Sequence, residues 1–121
     1  MKLIFTLLSL FSVLAYTDTT TYSCNYPTYS DQAGSHRVKK KFVLNFIVDN
    51  TTGKSYLLGN NGSSEVKLIE SDDQVSFLGI TATGNLITTA IDSKFNSVHS
   101  RNIIILGELL PSQFYGTCEV K

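Results

Sequence analysis

Hydrophobic and polar positions alternate along most of the chain after Lys41. Val75, Phe77 and Gly79 occupy one side of such an alternation, and Val66 and Leu68 occupy one side of another. A period of two residues indicates β-strands that bury one face, and the abundance of Val, Ile, Thr, Phe and Tyr supports the same assignment. The pattern predicts strands over residues 41–49, 55–59, 65–70, 74–81, 86–91, 97–106 and 113–120, with an eighth at 20–26.

Short polar segments with Gly, Asn or Asp separate these strands. One of them contains Asn61-Gly62, a pair that favours a tight hairpin turn because both residues accept positive φ. Links this short join antiparallel neighbours, since a parallel crossover needs about a dozen residues. Two segments interrupt the pattern: residues 26–34 are predicted to be a loop, and residues 107–112 a loop or a single helical turn. The prediction is an all-β, antiparallel up-and-down meander.

The beginning of the chain differs from the rest. Lys2 precedes an apolar run over residues 3–14 that ends in Val13-x-Ala15. This arrangement is typical of a secretory signal peptide, and the run is shorter than the ~20 apolar residues of a membrane-spanning helix. We therefore predict a signal peptide at residues 1–15, a single domain at residues 16–121, a secreted or periplasmic location and no membrane span.

Cys24 and Cys118 are the only two cysteines. In an oxidising compartment they are expected to form a disulfide. A metal site or a catalytic thiol has less support, because C-x-x-C is absent and His36 and His99 are the only histidines. A long meander curls, and a disulfide from the first strand to the last would hold its edges together. The favoured fold is a small closed or nearly closed β-barrel, and the alternative is an open sandwich.

Length and composition exclude further classes of function. The chain has 121 residues, with ten Lys and Arg against ten Asp and Glu. This length suits one domain. The balanced charge argues against nucleic-acid binding, because a protein that binds nucleic acid needs an excess of Lys and Arg. No calcium-binding D-x-D-x-D-G ladder is present, so we predict no metal and no cofactor. We expect a monomer that binds either an envelope or secreted protein or a small ligand.

Basic residues are concentrated just before the apolar strand that starts near Phe42. Arg37, Lys39, Lys40 and Lys41 lie there. Such a cluster could bind lipid headgroups, a cell-wall polymer or an acidic protein surface. The alternative, which we favour, is a solvated segment whose charge discourages aggregation of the strand.

A polar insertion, His99-Ser100-Arg101, lies within the strand predicted over residues 97–106. Adjacent strand residues face opposite sides, so His99 and Ser100 are poorly placed to form a base and nucleophile pair. No G-x-S-x-G motif exposes a serine, and we predict no catalytic residue. His99 and Arg101 share a face, which suits them to bind a carboxylate or phosphate. Tyr29 and Phe114 belong to a set of aromatic residues that could line a barrel mouth or fill the core.

Several motifs resemble those of small exported bacterial proteins without an assigned function. They are Gly59-Asn60, Ser76-Phe77, Thr88-Thr89, Val98-His99-Ser100-Arg101 and the run from Pro111 to Cys118. This resemblance implies a Gram-negative periplasmic setting and no particular activity. A looser resemblance is to periplasmic inhibitors of C-type lysozyme, which are small β-barrels with a Tyr-x-Cys near the start, as in Tyr22-Ser23-Cys24. Their inhibitory loop has a Ser-Gly-x-x-Tyr motif, whereas the nearest stretch here, Thr83-Gly84-Asn85-Leu86, lacks the tyrosine.

Three binding or catalytic functions remain open at the level of sequence, beside a fourth alternative, a purely structural role in the envelope. The first is a non-enzymatic, exported binding module that uses its loops or one barrel end. The second is an inhibitor of a cell-wall hydrolase that inserts a loop at residues 82–85 into a cleft. The third is a small hydrolase that uses His99, which would require a polar pocket around that ring.

Overall fold

The computed structural model describes residues 18–59 and 62–121, and within them it contains nine β-strands and no helix. The predicted signal peptide and the Asn60-Asn61 part of one predicted turn lie outside the described residues. The strands are β1 Thr19–Asp31, β2 Gly34–Arg37, β3 Val43–Asp49, β4 Ser55–Gly59, β5 Gly62–Ser71, β6 Gln74–Ile80, β7 Leu86–Asp92, β8 Asn96–Ile105 and β9 Glu108–Val120.

Eight of the strands form a closed antiparallel barrel. Strand β1 pairs with β3, strands β3 to β9 follow in chain order, and β9 pairs back with β1. The additional strand β2 pairs with the second half of β1, from Thr28 to Asp31. The predicted all-β meander and its closure into a barrel are confirmed.

The disulfide joins the two strands that close the barrel. Cys24 of β1 and Cys118 of β9 lie directly opposite each other in the antiparallel register and are bonded. Cys24 is fully buried in the core beside Tyr26 and Phe46. The bond therefore links residues 94 positions apart at the seam between the first and last barrel strands.

Both segments predicted to interrupt the meander are strands. Residues 26–34 continue β1 to Asp31, turn, and enter β2 at Gly34, so the predicted loop is wrong. Residues 107–112 are not a loop or a helical turn, because β8 turns directly into β9 at Leu106 and Gly107. Each segment contains a proline, a residue that favours loops and strand ends: Pro27 lies at a register shift between Asn25 and Thr28, and Pro111 is accommodated within β9.

The alternation in sequence becomes the inside and outside of the barrel. Leu44, Phe46 and Val48 of β3 point inward, and Phe46 stacks on Phe77 with ring centroids 4.4 Å apart. Tyr26 is fully buried, and burial raises the pKa of its hydroxyl to about 12. Side chains therefore fill the middle of the barrel, as expected for a barrel of eight strands.

The two ends of the barrel differ. One end, called here the mouth end, carries the turns after β1, β6 and β8, at residues 32–33, 81–85 and 106–107. The opposite end carries the turns at residues 50–54, 72–73 and 93–95. None of the described segments forms a helix of the length and apolar character needed to cross a bilayer.

Candidate functional site

His99 and Arg101 lie on the inward face of β8, as the alternation predicts. The His99 ring is 1% exposed, and its Nδ1 is 2.7 Å from the Oγ1 of Thr89. The Nε of Arg101 donates to the Nε2 of His99 at 3.4 Å. Because Nε2 accepts, the proton of the neutral ring is on Nδ1, which donates to Thr89.

The environment of His99 keeps its ring neutral. Burial lowers the pKa of His99 to about 4, and the positive charge of Arg101 adds to this effect. The ring is also surrounded by aromatic side chains, with Tyr26 5.9 Å and Phe42 6.1 Å away between centroids. His99 therefore acts at neutral pH as an uncharged acceptor that holds Arg101.

Arg101 lies above the core, where the barrel opens at the mouth end. Its Cζ is 5.2 Å from the ring centroid of Phe42 and 5.1 Å from that of Phe114. Partial burial lowers the pKa of the guanidinium. Within residues 18–59 and 62–121, no carboxylate lies within salt-bridge distance of this cation. Two aromatic rings and a neutral histidine thus replace the acidic partner that a partly buried arginine usually has.

The aromatic rings continue beyond Arg101 in a row. Phe42 contacts Phe114 at a centroid distance of 4.8 Å, Phe114 stacks on Tyr29 at 5.1 Å, and Tyr29 contacts His36 at 4.9 Å. His36 in turn pairs with the carboxylate of Asp31 at 2.9 Å. The row forms an apolar wall along one side of the mouth.

The basic segment lies beside this aromatic row and lines the same cavity. Backbone hydrogen bonds from Val38 to Pro27 (2.9 Å) and from Tyr26 to Phe42 (3.0 Å) fasten residues 38–42 against β1. Arg37, Lys39 and Lys40 are brought to the same cavity as Arg101, whereas Lys41 is exposed and lies outside its lining. The cavity has a volume of about 460 Å³, and it is lined by Tyr29, Arg37, Val38, Lys39, Lys40, Phe42, Arg101 and Phe114.

The mouth is therefore a cationic cavity with aromatic walls. Four of its eight lining residues are Arg or Lys, and none is acidic. Arg101 and three of the four residues of the basic cluster predicted at residues 37–41 converge here, and Lys41 does not. Comparison with known proteins finds no matching protein-family model, no similar curated protein and no similar solved structure.

Sequence reasoning missed Phe42 as a residue of this site. Phe42 was treated only as the start of an apolar strand, but it lies two positions before the inward-facing Leu44. The period of two therefore already places it on the inner face. Tyr29 and Phe114 were recognised only as members of a wider aromatic set, because their proximity depends on the pairing of β1 with β9.

Ser100, considered as a nucleophile beside His99, and the neighbouring Ser97 of β8 each have another hydrogen-bond partner. Ser100 faces outward, where its Oγ accepts a hydrogen bond from Gln113 at 3.1 Å. Ser97 faces inward, but its Oγ is 2.9 Å from the hydroxyl of Tyr26. The part of the chain that the structure describes contains no cluster of three His, Cys, Asp or Glu side chains arranged for a metal ion.

The segment proposed as an inhibitory loop is a compact turn. Thr81 and Asn85 are joined by a backbone hydrogen bond of 2.8 Å, and the Oγ1 of Thr81 accepts from the amide of Asn85 at 3.0 Å. Ala82, Thr83 and Gly84 are exposed at the tip. Insertion of this turn into the cleft of a hydrolase stays a prediction.

Proposed function

We propose that the protein is an exported, non-enzymatic binding module that takes a small organic anion into the mouth of its barrel. The observation that carries this proposal is Arg101: a partly buried guanidinium against two phenylalanine rings that contact each other, without a carboxylate partner among the described residues. A ligand carboxylate or phosphate would supply the missing opposite charge.

The surroundings of Arg101 favour an anion that also has an apolar or aromatic body. Arginine binds carboxylate and phosphate through paired N–H donors, and its Nε is already held by His99. Lys39 and Lys40 add exposed cations at the rim, and Tyr29, Phe42 and Phe114 offer rings for stacking. A volume of about 460 Å³ corresponds to a small molecule.

His99 is a positioning residue in this proposal. It stays neutral near pH 7 because burial lowers its pKa to about 4, so it can accept the hydrogen bond from Arg101 without repelling it. Thr89 fixes the ring from the other side. The guanidinium is therefore held in place before the ligand arrives, which reduces the entropic cost of binding.

Calorimetry with simple probes tests the proposal. Phenyl phosphate and benzoate combine an anion with a ring, inorganic phosphate has only the anion, and benzyl alcohol has only the ring. We expect saturable binding of the aromatic anions, at least about tenfold tighter than either partial probe, because charge pairing and stacking act together. Arg101→Gln should weaken that binding at least about tenfold.

A matched variant separates a local effect from a general loss of positive charge. Lys54→Gln removes one cation from the turn at residues 50–54, at the opposite end of the barrel. It should leave the affinity for phenyl phosphate unchanged. Equal binding of phenyl phosphate by the Arg101→Gln protein, or no saturable binding of any aromatic anion by the natural protein, would contradict the proposal.

A further inference from the structure

The turn between β8 and β9 contains a leucine that is both exposed to solvent and in a left-handed backbone conformation, and both features are unusual for this residue. Leu106 is 101% exposed, and it has a positive φ of 52°, followed by Gly107 at 80°. A two-residue hairpin turn with positive φ at both positions favours Asn-Gly or Asp-Gly, because leucine is strained in the left-handed region. Leu106 is unfavourable both for its backbone conformation and for the exposure of its apolar side chain to water. In an otherwise regular barrel, such a residue indicates a functional role.

Leu106 is the tip of a longer apolar segment, residues 103–110, called here the apolar hairpin. Ile104 and Leu109 oppose each other on its outer face, and both are 54% exposed. On its inner face Ile105 is 52% and Leu110 is 40% exposed. Apolar side chains are therefore exposed to water on both faces, which a hairpin packed against the barrel would not show.

The base of the apolar hairpin is fixed to its neighbours. The amide of Ile104 donates to the Oδ1 of Asn85 at 2.9 Å, and the Nε2 of Gln32 donates to the carbonyl of Leu109 at 3.3 Å. These contacts come from the turns after β6 and β1, which belong to the same end of the barrel. The apolar tip is thus presented in a defined position.

Cations lie at the same end of the barrel as this tip. Arg101 precedes the apolar hairpin by two residues on β8 and shares the mouth cavity with Arg37, Lys39 and Lys40. The nearby acidic residues are Glu108, within the hairpin, and Asp31, which is paired with His36. The mouth end therefore combines an exposed apolar projection with a local excess of positive charge.

We propose that the apolar hairpin inserts into the surface of an anionic lipid bilayer while the neighbouring cations meet its headgroups. Apolar side chains that enter the headgroup boundary and cations that face anionic lipids are the two components of peripheral membrane binding. The interaction needs no ligand in the mouth cavity, so it goes beyond the proposed function and does not depend on it.

A bilayer fits these features better than a second copy of the chain. A symmetric dimer through the apolar hairpin would bring two sets of Arg37, Lys39, Lys40 and Arg101 toward each other, and like charges oppose such an approach. The hairpin is also a narrow projection, whereas a stable protein interface needs a broad complementary surface of roughly 800 Å² on each partner. Negative headgroups complement the charge instead.

Vesicle flotation tests the proposal with the exported protein, after its N terminus has been verified by mass spectrometry. Vesicles of phosphatidylglycerol and phosphatidylcholine are compared with vesicles of phosphatidylcholine alone. We expect binding to the anionic vesicles, weakening as salt is added. Lys39→Gln combined with Lys40→Gln should reduce the partition coefficient by about 25-fold, because each surface cation contributes roughly fivefold.

Leu106→Asn is the decisive variant. Asparagine suits the left-handed position, so the turn should form at least as well as in the natural protein while the apolar tip is lost. Binding to anionic vesicles should fall at least about tenfold. Phe95→Asn is the matched control, because Phe95 also has a positive φ (66°) and is 42% exposed, but lies in the turn at the opposite end.

Each alternative outcome decides against the proposal. Absence of binding to phosphatidylglycerol vesicles, or unchanged binding of the Leu106→Asn protein, would overturn it. Equal losses for Leu106→Asn and Phe95→Asn would also overturn it, because the effect would not be specific to the mouth end. Light scattering measures the oligomeric state. If the natural protein forms a dimer that Leu106→Asn disrupts, and it does not bind vesicles, the partner of the apolar hairpin is a second copy of the chain and the bilayer proposal is wrong.

Discussion

Arg101 donates a hydrogen bond from its Nε to the Nε2 of His99, a ring that is almost completely buried. This contact joins the core of the barrel to its mouth, since Arg101 lines the cavity and His99 reaches inward to Thr89. The positive charge of Arg101 therefore affects the protonation of His99, and this coupling can be measured as a change in the pKa of His99.

The first prediction concerns stability and pH. The pKa of His99 is about 4 in the folded protein, below its ordinary value of 6.5, because burial opposes the charged form. Between these two pH values the unfolded chain binds more protons. The free energy of unfolding should therefore decrease by about 3 kcal/mol as pH falls from above 6.5 to about 4.

Urea unfolding at several pH values checks this expectation. His99→Gln should flatten the decrease, whereas His36→Gln, at the barrel surface, should preserve it. The pKa values of Asp31, Asp49 and Asp92 lie below the ordinary 3.8, chiefly because each accepts hydrogen bonds, so their own destabilisation begins at lower pH. A decrease that persists in the His99→Gln protein would show that another group is responsible.

The second prediction tests the coupling itself. Arg101 is the smaller of the two causes that lower the pKa of His99, after burial. Arg101→Gln removes the positive charge and should raise the pKa of His99, while burial keeps it below 6.5. NMR titration of the imidazole protons measures this change. An unchanged pKa in the variant would mean that solvent screens the two groups from each other.

The third prediction concerns the seam of the barrel. Cys24 and Cys118 join strands β1 and β9 across a sequence separation of 94 residues. Closing a loop of about a hundred residues contributes about 4 to 5 kcal/mol in the chain-entropy description. Replacing both cysteines with alanine should lower the free energy of unfolding by an amount of that order, measured in urea. A loss below about 1 kcal/mol would show that strand pairing alone closes the barrel.

Most of the fold could be predicted from the sequence, because a barrel strand shows its inner face as a simple alternation. Val66 and Phe77 were placed correctly on the buried face by this pattern alone. The predicted strands 20–26 and 113–120 are shorter than β1 and β9, and the missing part of each strand contains a proline. Tertiary pairing overrides that local preference: Pro27 is tolerated at a register shift, and Pro111 lies opposite Asn102.

The candidate site was predictable only in pieces. His99 and Arg101 share a face for a purely local reason, the period of a strand. The meeting of Arg101 with Lys39 and Lys40 depends on barrel closure, which brings β8 near the segment between β2 and β3 through β9 and β1. Alternation carries no information on which strands close the barrel or with which register, so this convergence required the structure.

The fourth prediction compares two buried serines. The Oγ of Ser55 is buried and has no hydrogen-bond partner among the described residues, whereas that of Ser97 is paired with the hydroxyl of Tyr26. Ser55→Ala removes an unsatisfied polar atom and should raise the free energy of unfolding by up to about 1 kcal/mol. Ser97→Ala leaves the Tyr26 hydroxyl unpaired and should lower it by about 1 to 3 kcal/mol. Changes of the same sign in urea unfolding would contradict this assignment.

The fifth prediction concerns a close approach of two strands, β1 and β9. β1 and β9 shift register between Asn25 and Thr28, and Gly116 of β9 lies against the backbone at this shift. A β-carbon on Gly116 would overlap the carbonyl oxygen of Asn25, and backbone cannot move aside as a flexible side chain can. Gly116→Ala should therefore lower the free energy of unfolding by about 2 kcal/mol or more.

Gly59→Ala is the control for this substitution. Gly59 also lies in a strand, but a β-carbon there would meet only the Cδ2 of Leu44 at 3.6 Å, an ordinary van der Waals contact. Its effect should stay below about 1 kcal/mol, since alanine requires no displacement of the backbone. Equal stabilities of the two variants in urea would mean that the register shift can relax. Because the shift lies between the disulfide and the mouth, a Gly116→Ala protein that folds should also bind phenyl phosphate less tightly.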